Sequence, residues 1–304
     1  MTSNEPRTSP HAPAAAANAV PHGASGRGLA AYLAPGTFGA SAFIVVAVAV
    51  CALCFALVVN FWTSARGVVG PILADAERPI LAAGATVVAL ALSTAVAIGV
   101  GRILNAVVGL FVLGCGVGIL AMRTGAARDF AFGGSSLLAT AIELFAWTAA
   151  IAAASHAVFR FSGRLPDMPE TGEDDIDSPH GAAARKAWVA AIAGLALLWL
   201  FAATPEKGQA IAAAVFGGIA TGAFGRVLAP RTTPVYLAAA LPAVCAINAL
   251  GLAFLAKGEL AGAFVDGSLP RFLRVMPVDL AAGSLVGVSL GFGMARSFVG
   301  NPDE

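Results

Sequence analysis

The sequence is poor in charge and in cysteine. Only 12% of its 304 residues are Asp, Glu, Lys or Arg, against roughly a quarter in soluble domains. The net charge is +1 and the 18 Lys and Arg are scattered, so no basic surface for nucleic acid is predicted. The four cysteines lie inside apolar runs, which argues against the disulfide framework of a secreted domain.

Motifs that hold metals or cofactors are missing as well. The chain has no HExxH, no P-loop and no DxxD pair, and Ser135 and Ser136 lack the sequence context of an intramembrane serine protease. Cys51 and Cys54 have CxxC spacing, but no histidine or second pair is near them, which favours a packing role over zinc or redox chemistry. We therefore predict no metal and no cofactor. An enzyme would need a site that only the fold assembles.

Hydrophobic residues make up 58% of the chain, and mean hydropathy is +0.83. Several runs approach or exceed the roughly 18 uncharged residues of a bilayer-spanning helix. In lipid, such runs can pair their backbone groups only as helices. The sequence thus predicts an all-α, polytopic transmembrane bundle in the lipid bilayer, with about eight spans and seven or nine as alternatives.

The predicted spans form two groups, residues 41–159 with spans one to four and residues 187–298 with spans five to eight. The run 80–122 is twice too long for one span, so it should fold back at "GVGR", residues 99–102. "TPEKG" marks the tight turn that precedes span six, with Pro205 placed to start that helix.

The remaining segments are hydrophilic. Residues 1–40 are rich in Ala, Pro, Ser and Gly and are predicted to be a disordered tail that leads into an uncleaved first span. Residues 160–186 form an acidic loop, for which a solvated linker is favoured over a loose calcium site, and 299–304 form a short C-terminal tail. A slight excess of Arg and Lys on the side of both termini favours a cytoplasmic location for them.

Two pairs of similar motifs raise the question of an internal duplication. "GVGRIL" ends predicted span two and "GAFGRVL" ends span six, while "IEL" lies in span four and "VDL" begins span eight. Two parallel four-helix halves would suit a transporter or channel. The alternative is chance similarity between Ala/Gly-rich helices. It is supported by the polar residues, which do not occupy equivalent positions in the two halves.

Glu143 is the one acid in 25 otherwise uncharged residues of span four. At 100° per residue it shares a helix face with Thr140 and small residues, so it should face protein or a cavity. A start at Ala131 or Ser135 places its carboxylate about 18 or 12 Å along the helix. An ion pathway or polar substrate contact competes with a helix–helix hydrogen bond or a pair with arginine.

Asp279 lies in the first turn of span eight, where the helix dipole favours an acid. Three glycines follow it at intervals of four residues: Gly283, Gly287 and Gly291. Such a face lets another backbone approach closely. It predicts helix packing within the chain or in a homo-oligomer, while a channel lining is the rarer alternative.

Three functions follow from these features. The first is a small transporter or channel-like protein with Glu143, Thr140 and Asp279 as its intramembrane polar site. The second is a non-catalytic membrane scaffold or assembly subunit, in which the acids fix helix register. The third, least favoured, is a lipid-modifying enzyme. The substrate, whether ion or small molecule, is not specified by the sequence.

Overall fold

The computed structural model describes residues 37–163, 182–229, 234–255 and 260–295. Within these ranges the regular elements are helices, which confirms the all-α fold class. The helices are α1 (Phe38–Val58), α2 (Pro79–Ile103), α3 (Ala106–Arg123), α4 (Ala127–Gly133), α5 (Leu137–Ser162), α6 (Ala182–Phe201), α7 (Lys207–Leu228), α8 (Pro234–Leu255), α9 (Leu260–Val265) and α10 (Pro277–Ala295). The predicted tails, except residues 37–40, and most of the acidic loop lie outside the described residues.

Seven helices in the described ranges are long and apolar enough to cross a membrane: α1 with the following turn, α2, α3, α5, α7, α8 and α10. The chain is therefore a multi-pass membrane protein. The predicted fifth span corresponds to α6, which is helical for 20 residues but is not among these seven. The count of eight spans remains a prediction.

The break between α2 and α3 lies later than predicted. Residues 99–102 continue α2, and the chain turns at Leu104 and Asn105. The Asn105 side chain accepts a hydrogen bond from the Val107 N–H at 2.8 Å, so it caps the start of α3. A capping side chain satisfies an otherwise unpaired helix N–H group, and here it fixes the boundary more strongly than the glycines do.

Helix α10 is the centre of the bundle. It packs most extensively against α7 and also contacts α3, α5 and α8. On one side of it, α1, α2 and α3 contact one another, and on the other side α6, α7 and α8 do so. Helix α5 packs against both α2 and α8.

The glycine face of α10 lies against α7 of the same chain. A Cβ atom added at Gly287 would lie 2.7 Å from the Gly218 Cα atom, and one at Gly218 would lie 2.7 Å from the carbonyl oxygen of Gly283. Gly291 approaches the backbone of Ala223 equally closely, so the two helices run parallel. Since α7 covers this face, a homo-oligomer through it would require α7 to move away.

The outer surfaces of the spans are apolar. On α1, for example, Val45, Leu53 and Leu57 each expose more than half of their surface. Large exposed aliphatic side chains are also found along α2 and α6. So many apolar side chains on the outer surface of a polytopic bundle indicate that this surface contacts lipid.

Candidate functional site

The segment between α1 and α2, residues Thr63–Arg78 and here called the α1–α2 loop, folds back onto the bundle. Short backbone bridges join Thr63 to Val69 and Ser64 to Ala76. Ile72 is fully buried, and so is Trp62 just before the loop, which donates its indole N–H to the Thr86 hydroxyl at 3.0 Å. The loop is thus an ordered part of one membrane face, which we call the loop face.

Glu143 holds this loop in place. One carboxylate oxygen accepts the backbone N–H of Leu73 at 2.6 Å, and the other accepts the indole N–H of Trp147 at 3.4 Å. Leu73 begins a short 3-10 turn, Leu73–Asp75, so the carboxylate caps that turn. The side chain is only 7% exposed. Its partners are therefore a loop backbone and an aromatic side chain, not an arginine.

The depth of Glu143 is smaller than the sequence predicted. Ser136 caps α5 through its side chain, and the helix begins at Leu137. Glu143 is then about 9 Å along the helix at 1.5 Å per residue. Its carboxylate lies within the first two turns of α5, close to the loop face.

Thr140 is buried on the same side of α5, but its hydroxyl donates to the Ser136 carbonyl oxygen at 3.1 Å. This bond back into its own helix is typical of threonine in apolar surroundings. The predicted pair of Thr140 and Glu143 therefore shares a helix side without a hydrogen bond between the two side chains.

Asp279 lies in a second polar contact on the loop face. One carboxylate oxygen accepts the Met276 N–H at 3.2 Å, at the start of α10, and the other is 2.7 Å from the Lys207 ammonium. Lys207 also donates to the Thr124 hydroxyl at 3.0 Å and the Gly125 carbonyl oxygen at 2.9 Å. Asp279 is fully buried and the Lys207 side chain is 19% exposed. One lysine thus ties the starts of α7 and α10 to the end of α3.

The two acids belong to one polar layer but to separate contacts. The Gly125 N–H donates to the Gly70 carbonyl oxygen at 3.1 Å, which joins the lysine contact to the α1–α2 loop. A Cβ atom at Gly125 would lie 2.9 Å from the Pro71 nitrogen, so this approach requires glycine. The layer runs from Glu143 through the loop to Lys207 and Asp279.

A cavity of about 260 Å³ opens beside this layer, between the α1–α2 loop and α4. Its charged and aromatic lining residues are Arg66, Asp75, Arg128, Asp129 and Phe132. Neither Glu143 nor Asp279 is among its lining residues. The cavity is therefore next to the predicted polar site and distinct from it.

Internal contacts fix three of these charged groups. Arg66 donates to the Gly133 carbonyl oxygen at 2.7 Å, and Asp75 accepts the Ser135 hydroxyl at 2.5 Å. Asp129 accepts the Ala126 N–H at 2.8 Å, at the start of α4. These groups stand in defined positions around the cavity, and each has hydrogen-bonding capacity left over.

The described ranges contain no group of three His, Cys, Asp or Glu side chains that could hold a metal ion. Cys51 is buried in α1 and Cys54 is half-buried on the same helix. A Cβ atom at Gly116 would lie 2.7 Å from the Cys51 Cβ atom, so Cys51 packs against α3.

Comparisons of this chain with protein families, with curated proteins and with solved structures found no match. The function must therefore be argued from the contacts of the chain itself. The sequence prediction identified Glu143 and Asp279 but not Lys207, which it assigned to a turn, nor the arginines of the cavity. The one available signal was the lysine directly after Pro205 and Glu206, at the start of an apolar run.

Proposed function

We propose that the protein is a transporter or channel-like protein for a small polar solute or ion, built from two parallel four-helix halves. The first half comprises α1, α2, α3 and α5, and the second comprises α6, α7, α8 and α10. Parallel repeats related by an axis along the membrane normal are a known architecture of transporters, with substrate sites at the interface of the repeats.

The observation that carries the proposal is the reciprocity of the contacts between the halves. The fourth span of the first half, α5, packs on the third span of the second, α8, and α10 packs on α3 in the corresponding way. The short helix α4 precedes α5, and the short helix α9 precedes α10 with the 3-10 turn Arg271–Arg274 between them. These two short helices contact each other, with the Phe132 and Phe264 rings 5.6 Å apart. Swapping the halves leaves this pattern of contacts unchanged.

The eighth span of the proposal is α6. It runs antiparallel beside α7, where a Cβ atom at Gly194 would lie 2.6 Å from the Gly217 carbonyl oxygen. Its 20 residues correspond to about 30 Å of helix. The uncharged residues 187–201 account for about 22 Å of this length, with Arg185 and Lys186 at one end. Eight spans also put both termini on one side, the cytoplasmic side in this proposal.

The span count can be tested with cysteines on either side of the uncharged part of α6, residues 187–201. Lys186→Cys and Thr204→Cys are labelled with a membrane-impermeant maleimide in vesicles of known orientation. Arg160→Cys at the end of α5 and Ser136→Cys at its start are the references. We expect Lys186→Cys and Arg160→Cys to be labelled from one side of the membrane. Thr204→Cys and Ser136→Cys should be labelled from the other side. Labelling of all three positions 160, 186 and 204 from one side contradicts an eighth span.

Transport itself is tested in proteoliposomes with labelled sodium, phosphate, glycine and phosphoethanolamine. We expect uptake of at least one probe above that of protein-free liposomes. A disulfide between Phe132→Cys and Phe264→Cys should reduce this uptake, because it ties the halves together at α4 and α9. Each single-cysteine variant is the control. Uptake equal to that of protein-free liposomes for all four probes overturns the proposal.

The non-catalytic scaffold is the second candidate, and one observation favours it. Glu143 and Asp279 each lie in closed contacts between elements, where their hydrogen bonds fix positions. Glu143→Gln distinguishes the two functions, since it retains an acceptor oxygen but not the ionisable proton. A proton pathway through Glu143 requires that this variant lose pH-dependent flux. Flux with unchanged pH dependence assigns Glu143 a structural role.

A further inference from the structure

The cavity between the α1–α2 loop and α4 carries fixed charges of both signs. Arg66 and Arg128 bring two positive charges to its lining, and Asp75 and Asp129 bring two negative charges. In the described residues the ion pair of the polar layer joins Lys207 to Asp279, while Asp129 and Asp75 act on Lys207 and Glu143 through space, without direct contact. A cavity with balanced charge favours a ligand that itself carries both signs.

The positions of these groups allow two-sided recognition. Gly133 fixes one N–H group of Arg66, and a guanidinium has further donors in a fixed fork that matches phosphate and carboxylate oxygens. Arg128 is exposed and lies next to Asp129 at the start of α4. Ser135 holds the Asp75 carboxylate on one oxygen, which leaves the other oxygen able to accept from an ammonium group.

The size of the cavity limits the ligand. About 260 Å³ is below the roughly 300–1,000 Å³ of pockets for drug-sized ligands. Phe132, which is 52% exposed, forms part of the apolar wall with Val68, Val69 and Pro71 and also contacts Phe264 of α9. A bound molecule would therefore be small and would lie against the contact between the two halves.

We propose that this cavity binds a small zwitterion, with its phosphate or carboxylate group on Arg66 and Arg128 and its ammonium group on Asp75 and Asp129. The same chemistry is offered by a free solute and by the headgroup of phosphatidylethanolamine. Binding does not depend on the transport function proposed above; only the identification of the ligand as cargo does.

The test is the thermal stability of the purified full-length protein in detergent with phosphoethanolamine, which carries both charges. Ethanolamine and inorganic phosphate are the single-charge probes. We expect stabilisation by phosphoethanolamine at concentrations where the single-charge probes have less effect. Arg128→Gln should weaken binding by about tenfold, because it removes a charge-assisted hydrogen bond. Arg123→Gln, an exposed arginine outside the cavity on the same membrane face, is the matched control and should bind as the parent does.

A second measurement separates the sources of the ligand. Native mass spectrometry records phosphatidylethanolamine bound to the parent protein and to both variants. The site binds a lipid headgroup if the parent protein retains phosphatidylethanolamine, the Arg128→Gln variant loses it, and phosphoethanolamine does not stabilise the parent protein. Absence of both effects, or equal binding by the Arg128→Gln and Arg123→Gln variants, overturns the proposal. If the ligand binds but is not taken up in proteoliposomes, the binding site proposed here stands and only the transport proposal is contradicted.

Discussion

The helix pairs α2–α5 and α7–α10, which would correspond to each other in the proposed duplication, both run parallel, yet they are held together differently. In α7–α10, backbone meets backbone at Gly218 and Gly287, and a direct ion pair joins Lys207 to Asp279 at the loop face. In α2–α5 a close approach lies at the opposite face and involves a side chain, since a Cβ atom at Gly101 would lie 2.7 Å from the Ser162 Cβ atom.

At the loop face, the polar groups of α2 and α5 bind other parts of the chain. Thr86 of α2 accepts from Trp62, and Glu143 of α5 accepts from Leu73 of the α1–α2 loop. A loop with its own hydrogen bonds takes the place of the direct ion pair found in α7–α10. The second pair is a closely packed unit of two helices, while the first pair depends at the loop face on the α1–α2 loop, which is itself packed against the backbone of Gly125.

The largest expected effect is at the glycine contact of the second pair. Gly287→Leu inserts four carbons where no side chain fits against Gly218, and we expect a loss of more than about 3 kcal/mol in unfolding free energy. Thermal unfolding in detergent measures this loss. Gly293→Leu is the control on the same helix, because nothing lies within 4 Å of a Cβ atom there. Equal stability of the two variants would show that α7 and α10 are not closely packed.

The ion pair gives the next largest effect. Lys207→Gln leaves the buried Asp279 carboxylate without its cation, and we expect a loss of about 3 kcal/mol, the lower end for buried pairs because Lys207 is partly exposed. Adding Asp279→Asn should recover part of the stability, since it removes the uncompensated charge. Strict additivity of the two changes in thermal unfolding contradicts a direct pair.

Much of this comparison could be predicted from the sequence, because it depends on local spacing. Apolar runs define the helices, and glycines at intervals of four residues define the packing face of α10. The α1–α2 loop and Lys207 could not be predicted in this way. Their positions depend on Glu143, Gly125 and Asp279, which are distant in the chain, and no periodic pattern records such contacts. The later start of α5 is set by the Ser136 side-chain cap, which the pattern of residues on the Glu143 helix face does not indicate.

A smaller effect is expected for the loop of the first pair. Glu143→Ala leaves the Leu73 N–H without its acceptor, at a cost of about 1–3 kcal/mol. Glu143→Gln retains an oxygen acceptor and should lose less. Hydrogen exchange at Leu73 and Ala74, with thermal unfolding, reports both changes. Unchanged protection of the Leu73 amide in Glu143→Ala would mean that the loop does not need this carboxylate.

The smallest effect is expected at the end of α6. The Arg271 guanidinium lies 4.3 Å from the centre of the Trp199 ring and donates to the Trp199 carbonyl oxygen at 3.3 Å. Both residues are exposed or half-buried, so Arg271→Ala should cost about 0.5–1 kcal/mol. Arg271→Lys keeps the charge and should retain part of this stability in the same unfolding measurement. A larger loss of stability than that of Glu143→Ala would contradict the expected order of these two effects.

The central position of α10 has a consequence for biosynthesis. The ribosome makes this helix after every helix that it contacts in the described part of the chain, because synthesis follows sequence order. Until α10 enters the membrane, Gly218 and Gly222 of α7 and Gly114 of α3 lack the backbone that covers them in the finished bundle. Nascent chains stalled before Pro277 would therefore present these faces to lipid or to quality-control factors.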